Sequence, residues 1–179
     1  MKQIKVGIVG CGGIAGGKHL PGHNSVKNVQ IIAACDIDKN RAKDFATKNE
    51  IPNVFDDYNK LVEMDEIDAV SVCTPNNFHA GPTIAALDAG KHVICEKPIA
   101  ANAIDGQAMV DAQKASGKIL QIGLQSRFRA SARTLRKLHD EGFLGIFTML
   151  VQWQCDGEVF LLHHHLSVKR LLGVVHLLI

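Results

Sequence analysis

The feature that most limits the fold is a repeated alternation. Short apolar runs of four to six residues are separated by stretches with helical spacing. The runs lie at 4–9, 30–35, 69–73, 92–95 and 119–122, are rich in Val and Ile, and show little polar alternation. Strands buried on both faces of a parallel sheet have this composition, whereas half-solvated strands alternate. Between the runs, Asp38 is placed to cap a helix through Asn49, and Asn76 or Asn77 to cap one ending at Gly90. A third helix covers 102–116 and stops at Gly117. A weaker strand at 53–55 completes the first half. Strand, helix and strand in series predict right-handed crossovers and an α/β fold, a doubly wound parallel sheet over residues 1–124.

The pattern changes after Gln125. Phe128, Ala132, Leu135 and Leu138 lie at helical spacing within 126–141, which ends at Gly142, and 146–153 reads as a longer strand. This is the expected opening of a second, α+β domain over 125–179, about 55 residues long and too short to close a sheet core alone. It is therefore read as truncated.

Composition excludes several classes. Apolar residues make up 46% of the chain, enough for a packed core. Twenty Lys plus Arg against 18 Asp plus Glu, with one Trp and one Tyr, leave no nucleic-acid footprint. Cys11, Cys35, Cys73, Cys95 and Cys155 are widely spaced without a CxxC pair, as expected of free thiols in a reducing compartment. Met1 leads straight into a strand with no room for a signal peptide, and no apolar run approaches the roughly 20 residues that span a bilayer. A cytoplasmic protein with no membrane partner is expected.

The chemistry starts at Gly10-Cys11-Gly12-Gly13-Ile14-Ala15, which follows a predicted strand and opens a predicted helix. In that context a glycine-rich turn is a dinucleotide site of Rossmann type. Gly10 permits the tight turn, Gly12 lets backbone approach a pyrophosphate, and Ala15 allows close helix–strand packing. Gly13 and Ile14 bring helix N-terminal N–H groups to the phosphates. Gly13, Gly16 and Gly17 loosen the start of this helix, and Pro21 is expected to cut it short. A plain βα turn without ligand is the competing reading. Asp36 ends the second strand 26 residues after Gly10, where a carboxylate can accept both ribose hydroxyls of an adenosine. It would repel a 2′-phosphate, so NAD is favoured over NADP. Arg41, at the third position of the next helix, is expected to face solvent. The alternative for Asp36 is a strand-end cap, a task that Asp38 can also perform.

Two further segments, Cys73-Thr74-Pro75-Asn76-Asn77-Phe78-His79 and Cys95-Glu96-Lys97-Pro98, end later strands, where open α/β sheets bind ligands. Thr74-Pro75-Asn76 alone is ordinary turn punctuation. Glu96-Lys97 sets two charges against a buried strand, and Lys97 near a nicotinamide would hydrogen-bond a substrate hydroxyl. A solvated lysine at a strand end is the bland alternative.

Together these segments, with Ala89-Gly90-Lys91-His92-Val93 before Cys95, resemble the glucose-fructose oxidoreductase, inositol dehydrogenase and rhizopine-catabolism (Gfo/Idh/MocA) family from Ile4 to about Val151. The resemblance implies NAD(P)-dependent hydride transfer at a hydroxyl carbon of a sugar or cyclitol. It implies Lys97 as the catalytic lysine, shaped by Glu96 and an often-cis Lys97–Pro98 bond. It places Thr74, Pro75, Asn76 and His79 along the nicotinamide side of the cleft, and Arg127 near substrate and cofactor. It also implies a second-domain sheet that holds substrate and forms homo-oligomers, here mostly missing.

The chain departs from the family after Trp153. Members carry an Asp-x-x-x-His motif whose histidine acts as acid and base; His176 is the candidate, but Leu172 stands where the Asp belongs. His163, His164 and His165 are consecutive and point in different directions, so no metal site is expected. Residues beyond about 155 are read as the product of a truncation or frame change. Two alternatives to an active enzyme stay open: a cofactor-binding module without turnover, and a non-enzymatic sensor.

Overall fold

The computed structural model describes residues 2–141 of the 179-residue chain. The expected strand at 146–153, the triple histidine, Cys155 and His176 lie outside the described residues. The chain divides into two compact units, Met1–Leu124 and one beginning at Gln125.

The first unit is a six-stranded sheet in the order β3-β2-β1-β4-β5-β6. Its strands are β1 (Ile4–Val9), β2 (Val29–Cys35), β3 (Asn53–Phe55), β4 (Ala69–Val72), β5 (His92–Cys95) and β6 (Leu120–Ile122). Every neighbouring pair is parallel. The order reverses between β1 and β4, and in such sheets ligands bind outside the carboxyl ends of the strands at that switch. The helices cover both faces. On one, Val6, Ile8, Ile31 and Ala34 of the sheet meet Ala15, Ala42, Phe45 and Ala46. On the other, Val9, Val70, Val72 and Val93 meet Leu61, Ala86, Leu87 and Met109. Because both faces are buried, the strands carry almost no polar alternation.

Local signals fix most helix ends. In α2 (Lys39–Lys48), the Asp38 side chain accepts from the N–H groups of Asn40 and Arg41. In α5 (Ala103–Ser116), Asn102 accepts from Asp105 N–H, and Gly117, at φ 63°, closes the C-terminus. The helix α4 (Ala80–Asp88) ends on Ala89, followed by Gly90 at φ 73°. There Gly90 N–H bonds Leu87 C=O at 2.9 Å and Lys91 N–H bonds Ala86 C=O at 2.9 Å, a Schellman closure.

Three expectations need correction. Pro21 does not cut the first helix short: a π turn (Ala15–His19) runs directly into α1 (Leu20–Asn24) with Pro21 inside it. Leu20 N–H reaches back to Ala15 C=O, and this widened turn relieves the clash that proline causes in a regular helix. Neither Asn76 nor Asn77 caps α4. Both lie in a 3₁₀ turn (Asn76–Phe78) that continues into the helix through His79, which makes no side-chain cap. Phe78 N–H bonds Pro75 C=O at 2.8 Å, so the 3₁₀ carbonyls begin the ladder that a cap would otherwise start. The helix expected over 126–141 is split into a 3₁₀ turn (Gln125–Phe128) and α6 (Ala130–Asp140).

Candidate functional site

The glycine turn sits at the carboxyl end of β1. Gly10 has φ 92°, and a Cβ there would lie 2.7 Å from the Cys73 carbonyl carbon and 2.8 Å from Thr74 N. Only glycine lets β1 pass the end of β4 this closely. Gly12 and Gly13 differ: a Cβ on either would meet nothing within 4 Å, so the outer side of the turn is open. Gly16 N–H bonds Gly12 C=O at 3.2 Å, which leaves the N–H groups of Gly12, Gly13 and Ile14 ahead of the helical ladder. Free N–H groups, a helix dipole and open space fit an anionic pyrophosphate.

Asp36, 6% exposed, follows the end of β2. Its Oδ2 accepts from Cys11 N–H at 2.9 Å, and its Oδ1 from Asp38 N–H at 3.0 Å. The residue is thus a strand-end brace that also holds the glycine turn. Asp38 caps α2 independently, so bracing and ligand binding are compatible roles. Arg41 is exposed, as expected, but it also pairs with two carboxylates. Its guanidinium lies 3.3 Å from Asp36 Oδ1 and 3.4 Å from Asp38 Oδ2, with about half of its side chain exposed. A long side chain at the third helical position can fold back over the N-cap, and two carboxylates there attract it.

The four thiols at the ends of β1, β2, β4 and β5 are free and buried. Burial, reinforced by the Asp36 carboxylate, pushes the Cys11 thiol up to about 12. Burial and the neighbouring Cys11 push Cys35 up to about 12, and burial lifts Cys95 to about 11. Cys73 is raised for the same reason, burial first and Glu96 next. Each behaves as a small apolar core residue.

The ends of β4 and β5 are joined by buried polar groups. Thr74 is half-buried and its hydroxyl donates to Phe78 C=O at 3.0 Å, while Pro75 and Asn76 are exposed. His79 is fully buried, not on an open surface. Its Nδ1 faces Pro98 C=O at 2.7 Å and its Nε2 faces Thr74 C=O at 2.9 Å, so the ring bridges the two loops from inside. Lys97 is exposed, and the Lys97–Pro98 peptide bond is cis. Glu96 is 7% exposed; its Oε2 accepts from Lys97 N–H at 3.2 Å and its Oε1 from His19 Nε2 at 3.0 Å. His19 escaped the sequence reading. Its signal was faint: one histidine six residues beyond Gly13, in a segment whose helical phase the π turn shifts.

Gly10, Gly12, Gly13, Ile14, Asp36, Thr74, Pro75, Asn76, His79, Glu96 and Lys97 therefore all follow the carboxyl ends of β1, β2, β4 and β5. Arg127 belongs to the second unit. Among the described residues there is no cluster of three or more metal-ligating side chains, and no helix is long and apolar enough to cross a membrane.

Residues 4–124 match the family model described as GFO_IDH_MocA, "Oxidoreductase family, NAD-binding Rossmann fold". The inositol 2-dehydrogenase of Salmonella typhimurium is 37% identical over 145 residues, 79% of this chain and 43% of that protein. The D-glucoside 3-dehydrogenase of Escherichia coli is 34% identical over 142 residues, 79% of this chain and 40% of that one. The crystal structure of scyllo-inositol dehydrogenase from Lactobacillus casei with bound NAD(H) and scyllo-inositol superposes with a TM-score of 0.74 at 30% identity, covering 80% of this chain and 43% of that one. The chain spans less than half the length of these relatives. With a sheet order, a glycine turn and a matched span that all agree, the chain belongs to the Gfo/Idh/MocA oxidoreductase family through its NAD-binding Rossmann domain.

Proposed function

We propose that residues 1–124 form the cofactor half of an NAD-dependent dehydrogenase acting on a hydroxyl carbon of a sugar or cyclitol, with residues from 125 onward opening its substrate domain. The observation that carries this is the gathering of the glycine turn, Asp36 and Lys97 at the carboxyl ends of β1, β2 and β5, on both sides of the switch between β1 and β4. Bound NAD would accept the hydride from the carbinol carbon. The chain's own groups do the rest. The N–H groups of Gly12, Gly13 and Ile14 hold the pyrophosphate. Asp36 accepts from the adenosine ribose once Arg41 moves off its outer lone pair. Ile37, next in sequence and 93% exposed, offers apolar surface beside it for an adenine ring. Lys97 donates a hydrogen bond to the substrate hydroxyl and orients it. The proton acceptor is assigned to the second domain.

The preference for NAD follows from charge. A 2′-phosphate would approach the Asp36 carboxylate, and a charge-assisted hydrogen bond to ribose is worth about 1.5–3 kcal/mol, roughly ten- to hundredfold in affinity. Titration of the chain with NADH and NADPH, followed by nicotinamide fluorescence, tests both points. NADH is expected to bind at least about tenfold more tightly than NADPH, and Asp36→Asn to narrow the gap to within about threefold. Tighter NADPH binding would overturn the preference. Binding of neither would overturn the cofactor assignment itself.

A further inference from the structure

The polar pair His19–Glu96 has no task in the scheme above, yet it is among the most buried polar contacts between two elements of the sheet domain, with side chains 7% and 9% exposed. A carboxylate taken out of water is costly unless it is paired and hydrogen-bonded. Glu96 is fully provided for. His19 Nε2 donates to Oε1 at 3.0 Å, Lys97 N–H donates to Oε2 at 3.2 Å, and Gly123 leaves space where a Cβ would lie 3.2 Å from Oε1. An apolar contact would pin the helix to the sheet at lower cost. What the polar pair adds is direction: it fixes both oxygens of the side chain next to Lys97.

The other end of the tie is equally specific. His19 is the last residue of the π turn, on the same helix whose first turn bears Gly12, Gly13 and Ile14. Ala15 and His19 are the buried residues of that turn, so the histidine faces inward, and wide turns of this kind concentrate at functional sites. One short helix thus connects the phosphate-facing N–H groups to the carboxylate beneath Lys97.

We propose that His19 is a positioning residue which, through Glu96, transmits occupancy of the glycine turn to the placement of Lys97. The proposal rests on the cofactor reading above, and its test separates the two. The chain is treated with a water-soluble acylating reagent, with and without saturating NADH, and modification of Lys97 is followed by peptide mass spectrometry. Exposed Lys60 and Lys114 serve as internal references. NADH is expected to slow Lys97 modification about fivefold in the wild type and less than about twofold in His19→Ala, with the reference lysines unchanged. His19→Gln, which keeps an N–H donor, should recover most of the effect. Gly123→Ala, which crowds Glu96 Oε1 while leaving His19 in place, should mimic His19→Ala and carries the test if that variant does not fold. Wild-type protection in both His19→Ala and Gly123→Ala would overturn the proposal. If the wild type binds no NADH, the cofactor reading fails. The tie then stands or falls on whether His19→Ala changes Lys97 modification in the unliganded chain by more than about threefold.

Discussion

The glycines of the first turn are alike in sequence and unlike in physics. Gly10 combines a positive φ of 92° with backbone atoms of Cys73 and Thr74 within 2.8 Å of the space a Cβ would occupy. Backbone cannot swing aside as a flexible side chain can. Gly10→Ala should therefore destabilise the fold by about 2–4 kcal/mol, read as a lower urea midpoint with an unchanged slope. Gly12 has no neighbour within 4 Å of such a Cβ and no positive φ. Gly12→Ala should change stability by less than about 0.5 kcal/mol and instead weaken NADH binding, because the methyl group occupies the path of the pyrophosphate. A large stability loss for Gly12→Ala, or a negligible one for Gly10→Ala, would contradict this division. Asp36 shows a comparable doubling of roles: a strand-end carboxylate was legible in the sequence, but its grip on Cys11 N–H, 25 residues away, was not.

At the scale of elements, α5 shows how far local signals reach. Only Gly106 and Met109 of its 14 residues are buried, so the helix depends on its ends more than on its packing. Removing the cap by Asn102→Ala should cost about 1 kcal/mol. Hydrogen exchange should localise the loss to the first turn, with Asp105 N–H losing its protection; uniform loss across the sheet would point to a different cause. The cap, the left-handed Gly117 and the apolar strand runs could be read in advance because each is encoded within a few residues. The misread elements are those whose backbone leaves the regular α-helical ladder or that are decided by contacts distant in sequence. Pro21 was expected to end its helix because the rule for proline assumes a regular α-helical ladder, and the π turn from Ala15 to His19 replaces that ladder. The asparagines before α4 have the chemistry of caps, but His79 turns inward to Pro98 C=O and carries the backbone on as a 3₁₀ turn. His19 and Glu96 are 77 residues apart, and no local pattern announces a pair of that kind.

For the sheet domain as a whole, one half-buried histidine contact couples stability to mildly acidic pH. His23, on α1, shares a 2.7 Å hydrogen bond with Ser71 of β4, linking a helix to the central sheet across 48 residues. Burial, with a smaller contribution from His19, holds its pKa below the ordinary 6.5. Between 6.5 and the lower folded value the unfolded chain binds a proton that the folded chain refuses, so stability falls as pH drops through that window and is fully retained above it. One proton sets a ceiling of about 1.4 kcal/mol per pH unit on this slope, and partial exposure of the ring keeps the effect below it. The exposed carboxylates Asp56 and Asp140 and the half-buried Asp68 are held below 3.8 mainly by side-chain hydrogen bonds from Lys39, Arg136 and Lys2 respectively, so their contributions disappear only in stronger acid. Urea unfolding between pH 8 and about pH 5 should therefore give a wild-type curve that bends downward below about 6.5, and a flatter one for His23→Gln, the two converging toward acid. Parallel curves would mean that another group senses the proton. The contact ties the helix of the glycine turn to β4, the strand beside β1 whose end carries Thr74, so protonation of this one ring acts on the sheet at the switch between β1 and β4.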